Sequence, residues 1–268
     1  MRPPLPDVPT GSVRVVAGDA RELPGLAPES VHLVVTSPPY PQIPQWDALF
    51  ERLGATGYAG MHDLLGQAWA ACARVLVEGG LMAINIGDAL RSRPGQGFRL
   101  YPNHAEVLRR CTDLGLRPLP YLLWKKPMNR PNAYLGSGFL PPNAYVTLDC
   151  EFILLFRKGE LRRFPVRDAR RQGSRYTREE RDRWFSQLWE VRAERQRGAD
   201  GTRTAAFPPE IPRRLIRMFS VAGDTVLDPF AGTGTTLEAA ASLGRDAIGV
   251  EIDPTLVARL RARFGPGR

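Results

Sequence analysis

The chain has 268 residues, 37 Lys+Arg against 28 Asp+Glu, a formal net charge of +9 and a pI of about 10. That length holds one large α/β domain with a sizeable core, and an apolar share of 43% excludes wholesale disorder. Three scattered cysteines without a CxxC pair and three histidines without ligand spacing exclude a disulfide framework and a zinc ribbon, no apolar run approaches the ~18 residues of a membrane span, and the opening MRPPLPDVPTGS has no apolar signal core, so a metal-free, cytoplasmic protein is expected.

The first dozen residues are Pro-rich and read as a loose arm. Residues 13–16 form a short β-like run that ends at Gly18-Asp19. Residues 31–35 (VHLVV) form a second, stopped by TSPPY. Helix formers with an apolar stripe occupy 61–77, and Gly79-Gly80 is the expected helix stop. Strands are predicted at 81–86, at 119–124 and at 151–157, where EFILLFR is apolar enough to be buried on both faces. Residues 103–114 and 209–220 read as helices, the latter amphipathic. A strand at 225–227, a helix at 235–243 and a strand at 246–251 follow. Strands alternating with helices predict an α/β fold with a mostly parallel, doubly wound sheet.

The basic excess is localised. Residues 157–203 hold 15 Lys+Arg and 8 Asp+Glu, residues 91–130 hold 9 and 2, and the remainder of the chain is net negative. The first segment interleaves arginines with Phe164, Tyr176, Trp184, Phe185 and Trp189, a pattern that suits phosphate contact and base stacking. A solvated helical surface with i,i+4 ion pairs is the alternative for RYTREERDRWF.

Two motifs carry chemistry. In VLDPFAGTGTTLEAAASLGRDAIGVEID a strand enters a glycine turn and then a helix. Gly232 and Gly234 permit close approach to a ligand, and Glu251 follows about 20 residues later, where an acidic side chain can grip ribose hydroxyls. Asp228 ahead of the turn would repel a pyrophosphate and suits a cationic ligand. In Thr36-Ser37-Pro38-Pro39-Tyr40 the two prolines fix the backbone and leave aimed carbonyls, a hydroxyl and an aromatic face. That set can accept hydrogen bonds from an amino group while stacking a planar ring; a tight Pro-rich turn is the alternative.

Together the motifs resemble those of the amino-directed DNA methyltransferases that use S-adenosyl-L-methionine, which carry a (D/N/S)PP(Y/F) loop and a DPFxGxGTT loop. TSPPY precedes DPFAGTGTT here, the order of the circularly permuted β group. GDARELPGLAPESVHLVVTSPPY, ARVLVEGGLMAINIGDA, LLWKKP with CEFILLFRKG, and AAFPPEIPRRLIRMFSVAGDTVLDPFAGTGTT extend the resemblance over most of the chain. It implies a Rossmann-like class I fold with a seven-stranded, mostly parallel sheet, helices on both faces and one antiparallel strand, in a single catalytic domain over 1–268 with an inserted basic target-recognition region at 157–206.

The resemblance also implies roles. Asp228, Phe230, Gly232 and Gly234 would line the methionine half of the cofactor, and Thr235 and Thr236 would cap the helix or bind the cofactor carboxylate. Glu251 would hold the ribose, Asp19 would lie near the adenine, and Phe207 and Pro208 would close over the cofactor, with core packing the alternative for Phe207. Ser37, Pro38, Pro39 and Tyr40 would form the catalytic loop around a base flipped out of double-stranded DNA. Serine before PPY favours the N4 amine of cytosine, with N6 of adenine or an RNA amine as alternatives. Carbon-5 methylation needs a cysteine nucleophile, usually after Pro, and Cys72, Cys111 and Cys150 follow Ala, Arg and Asp. Lys125 and Lys126 at a strand end, with Arg162, Arg163, Arg170, Arg171 and Arg175, are the expected DNA contacts. Residues 41–60 and 127–144, long and poor in regular pattern, are further candidates for base readout. RTAAFPPE lacks the histidine the group often has before the cofactor loop, and nothing ties the chain to a restriction endonuclease partner. The group often forms dimers, which makes a homodimer the expectation. A non-catalytic nucleic-acid-binding module and a nicotinamide dehydrogenase are the competing classes.

Overall fold

The computed structural model describes residues 11–93, 97–126, 141–142, 146–192 and 207–265. The expected arm at 1–10, the loop at 127–140 and 143–145, and residues 193–206 of the basic region lie outside the described residues. In chain order the elements are β1 (Val13–Ala17), β2 (Val31–Thr36), α1 (Asp47–Arg52), α2 (Gly57–Val75), β3 (Leu76–Ile86), β4 (Ala89–Arg93), β5 (Gly97–Tyr101), α3 (Asn103–Asp113), β6 (Arg117–Lys125), β7 (Cys150–Arg157), α4 (Ala169–Gly173), α5 (Arg178–Trp184), β8 (Leu188–Glu190), α6 (Glu210–Phe219), β9 (Thr225–Asp228), α7 (Thr235–Ser242), β10 (Asp246–Glu251) and α8 (Pro254–Phe264).

One sheet runs in the order β1-β10-β9-β2-β3-β7-β6-β8, and β4 pairs with β5 in a separate hairpin. Only β7 runs against its neighbours, antiparallel to both β3 and β6. The sheet has eight strands where seven were expected. The eighth, β8, comes from the basic segment, which returns to lie parallel to β6 and buries Trp189. Apolar side chains alternate between the faces: Val31 and Val34 join α2 and α3 on one side, while Leu33 and Val35 join α6, α7 and α8 on the other. Burial on both faces explains why these strands read as continuous apolar runs.

Gly79-Gly80 does not end the helix. α2 stops at Val75 and β3 begins at once. Gly79 (φ +73°) instead lets another segment approach: a Cβ there would fall 2.5 Å from the backbone nitrogen of Arg162. Residues 41–60, read as irregular, contain a 3-10 turn at Pro44–Trp46, α1 and the start of α2.

The chain leaves β9 toward α7 on one face and leaves β2 toward α2 on the other. The two loops therefore part between adjacent strands, and a crevice opens at their carboxyl ends, where doubly wound sheets take ligands.

Candidate active site

A cleft of about 730 Å³ occupies that crevice. Its walls come from the loop after β1 (Gly18, Asp19), the TSPPY loop after β2, the glycine turn after β9, the end of β10 (Glu251) and Phe207 ahead of α6. The two sequence motifs, 192 residues apart, are joined directly: Thr36 Oγ1 donates to Asp228 Oδ1 at 2.7 Å.

The glycine-turn side suits a cationic ligand that also carries a carboxylate. Asp228 is 4% exposed and has no cation partner among the described residues. Burial pushes its carboxyl up from 3.8 to about 6, against the pull of the Thr36 and Thr236 hydroxyls and the Phe230 N–H. The other carboxylates of this wall are compensated. Asp19 accepts from the Arg21 side chain at 2.6 and 2.9 Å. Burial raises its carboxyl, but those bonds and the Arg21 N–H outweigh it and hold it below the ordinary value. Glu251 accepts from Gly232 N at 2.8 Å and from Asp253 N at 2.9 Å, which aligns it at the rim. Gly234 (φ +85°) opens α7 without a side-chain cap, which leaves the first amides of that helix able to take a ligand carboxylate. A Cβ on Gly232 would meet only the Phe230 carbonyl at 3.8 Å, which leaves the space above it open. Phe230 is held edge-on by buried Trp69, with centroids 6.0 Å apart. S-adenosyl-L-methionine, with its sulfonium and its carboxylate, fits this donor and acceptor set.

The TSPPY side is a polarised hydrogen-bond chain. Tyr40 donates its hydroxyl proton to Glu151 Oε2 at 2.9 Å. With that single proton committed, the 3.0 Å contact between Ser37 Oγ and Tyr40 OH has Ser37 as donor. The lone pairs of Ser37 Oγ are therefore left as acceptors. Asn85, 2% exposed, fixes the arrangement by donating to Tyr40 OH at 2.6 Å and to Glu151 Oε2 at 2.7 Å. Lys126 pairs with the other oxygen of Glu151 and lies 4.9 Å from the Trp124 ring. Burial, then the Glu151 charge, raise the Tyr40 phenol well above its ordinary value, so the proton stays on Tyr40. Gly87 makes room for the cluster, since a Cβ there would sit 3.1 Å from the Tyr40 ring and 3.3 Å from Glu151.

A second buried residue holds the loop from behind. Asn103 donates to Pro41 O at 3.0 Å and to Gly87 O at 2.9 Å, so it ties the catalytic loop to the end of β3. Its oxygen meets His62 Nε2 at 3.1 Å, which makes Nε2 the protonated nitrogen. Burial, opposed by this bond, pushes His62 down to about 4 and keeps it neutral.

Ser37, Pro38, Pro39, Tyr40, Asp19, Phe207, Asp228, Phe230, Gly232, Thr235, Thr236 and Glu251 all line the one cleft, with Gly234 at the mouth of α7. Pro208 does not line it; its carbonyl accepts from Ile211 N at the start of α6. Lys126 faces the cleft but is bound to Glu151, and Lys125 lies outside the lining. The five arginines expected to contact DNA do not line the cleft. β7 runs antiparallel, so its exit lies at the opposite edge of the sheet. Arg162 there grips buried Asp224 through two bonds of 2.6 and 2.8 Å. Asn85, Asn103 and Glu151 escaped the sequence reading, and Thr36 is read there as part of the TSPPY motif without its bond to Asp228. The signal for the first and third is a single polar residue set in an apolar strand, in AINIG and CEFILL.

A glycine turn, an acidic strand end and a proline-fixed polar loop on one cleft of a doubly wound sheet define a methyltransferase that uses S-adenosyl-L-methionine. A family model described as DNA methylase matches residues 31–261, and the chain belongs to that family, the N6/N4 DNA methyltransferases. It is 51% identical to the type II methyltransferase M.MjaI of Methanocaldococcus jannaschii over 96% of this chain and 92% of that one. It is 43% identical to M.MthZI of Methanothermobacter thermautotrophicus over 90% and 73%. Among solved structures, a candidate DNA modification methylase of Thermus thermophilus complexed with S-adenosyl-L-methionine is 37% identical and superposes with a TM-score of 0.76 over 94% and 92%. The PvuII DNA methyltransferase (cytosine-N4-specific), 22% identical with a TM-score of 0.70 over 96% and 87%, shares the fold. Among the described residues no helix is long and apolar enough to cross a membrane, and no group of three or more His, Cys, Asp or Glu could hold a metal ion.

Proposed function

We propose that the chain methylates the exocyclic N4 amine of a cytosine flipped out of double-stranded DNA, with its motifs in the permuted β order. S-adenosyl-L-methionine supplies an electrophilic methyl group. The observation that carries the amine reading is the polarity of the Ser37–Tyr40–Glu151 chain, which leaves the Ser37 lone pairs as acceptors; the serine before PPY supports cytosine over adenine. Ser37 Oγ and the Pro38 carbonyl accept from that amine and localise the nitrogen lone pair. Tyr40 stacks on the base, and the prolines keep both acceptors in place. Positioning supplies much of the acceleration. After transfer the amine proton leaves by way of Ser37 Oγ, and the hydrogen-bonded carboxylate of Glu151 draws the chain in that direction. Asp228 and Glu251 hold the positive and ribose portions of the cofactor, and the open amides of α7 hold its carboxylate.

The test is transfer of labelled methyl to duplex DNA followed by nucleoside analysis. N4-methylcytosine is the expected product. N6-methyladenine alone overturns the cytosine reading, and preferential labelling of structured RNA overturns the DNA reading. Ser37→Ala and Tyr40→Ala should lower turnover and leave cofactor affinity intact; a loss of cofactor affinity contradicts their roles.

A further inference from the structure

The exit of β7 sends the basic segment to the amino edge of the parallel strands. Arg157 pairs there with Leu81 and Arg117. The chain then stays at that edge: Gly79 N donates to Lys158 O at 2.8 Å, Arg162 binds Asp224 just ahead of β9, and Ala222 N donates to Ser174 Oγ at 2.9 Å. Glu151 is the second residue of β7 and Arg157 its last, so at a strand rise of ~3.3 Å per residue this face begins roughly 20 Å from Glu151 in the cleft.

Charge on this face is unbalanced. Arg163, Arg170, Arg171 and Arg175 are exposed, and none forms an ion pair among the described residues. Nearby acids are already engaged. Glu160 pairs with Arg117 at 2.6 Å, Glu29 with Lys158 at 3.6 Å, and Asp168 caps α4 by accepting from Arg171 N. Phe164 lies between the guanidinium groups of Arg162 at 4.6 Å and Arg171 at 5.3 Å, which orders the Arg171 fork at the surface. Unpaired forks of this kind match phosphate oxygens and concentrate polyanions.

We propose that the amino-edge face is a second, sequence-independent binding site for the phosphate backbone of duplex DNA, on the far side of the sheet from the catalytic cleft. It rests on the reading that duplex DNA is the substrate. One duplex then occupies the cleft while a second segment touches the back. The enzyme stays on long DNA between modification sites, and short DNA is unaffected.

The test combines a variant with a stoichiometry. Arg170→Ala, Arg171→Ala and Arg175→Ala together should reduce the salt dependence of non-specific duplex binding by about 2.7 in slope, at ~0.9 for each phosphate no longer neutralised. The corresponding triple Lys variant should keep most of it. Turnover on a short one-site duplex should not change. With the cleft of the wild-type chain filled by short duplex and cofactor, a labelled non-specific duplex should still bind, which needs no variant. An unchanged slope, no uptake of the second duplex, or stronger uptake of single-stranded RNA each overturns the second site. If methyl never reaches DNA but the slope falls, the catalytic reading fails and the second duplex site stands.

Discussion

Asp228→Asn should make the ligand-free protein more stable and the enzyme worse. The carboxyl is raised from 3.8 to about 6 by burial, and each pKa unit is worth about 1.4 kcal/mol. Holding Asp228 ionised therefore costs the folded chain about 3 kcal/mol at pH 8. A carboxyl with a raised folded pKa favours the folded state below its unfolded value, and that advantage is lost as the pH rises through about 6. The Thr36 hydroxyl and the Phe230 N–H both donate to Asp228 Oδ1, at 2.7 Å and 3.1 Å. Asn keeps that oxygen and replaces only the other, so the change removes the charge while the packing around it is kept. Thermal unfolding without ligand should rise by ~6–12 °C at pH 8, at roughly 2–4 °C per kcal/mol. The gain should vanish near pH 4. Added S-adenosyl-L-methionine should reverse the ranking, because the stabilisation it gives the wild type depends on the carboxylate. Equal pH dependence in the two proteins, or a variant that is less stable at pH 8 without ligand, refutes the argument.

Glu151→Gln preserves shape but lets an amide donate to Tyr40, which reverses the hydrogen-bond chain and strips Lys126 of its partner. Single-turnover rates should fall ~10–100-fold, the worth of one charged hydrogen bond, with cofactor affinity unchanged; an unaltered rate rules out the polarised chain. Gly234→Ala forces a Cβ to 2.7 Å from Leu260 and 2.8 Å from Phe264 at φ +85°. Denaturant titration should show a loss of about 2–4 kcal/mol from strain and overpacking. Arg162→Ala leaves fully buried Asp224 without its guanidinium and should cost roughly 3 kcal/mol of stability. Turnover at a permissive temperature should hold, and a selective loss of turnover would show that Arg162 works in the cleft.

The sequence disclosed the strands and both loops because their signals are local: a continuous apolar run, a proline pair and a glycine turn. It could not disclose Asn85 and Glu151 as partners. That depends on the β3–β7 register, which sets Asn85 opposite Ile153 and Ile86 opposite Phe152. The same antiparallel strand decides where the basic segment lies. Arg162 to Arg175 follow β7 closely in sequence, but the direction of β7 decides which end of the sheet they reach. Gly79 misled for a related reason. Its backbone freedom serves a contact with Arg162, remote in sequence, and not the nearby helix end. The hairpin of β4 and β5 has weak alternation and an exposed face. β8 has only 3 residues.

Asn103 gives the hairpin a mechanical meaning. β5 ends at Tyr101 and α3 begins at Asn103, with one proline between them. Arg91 on β4 meanwhile grips Asp47 and the Gln42 carbonyl, on the stretch that follows the catalytic loop. Two hydrogen-bonded linkages, from Asn103 to Pro41 and from Arg91 to Gln42, therefore tether the hairpin region to the two residues that follow Tyr40.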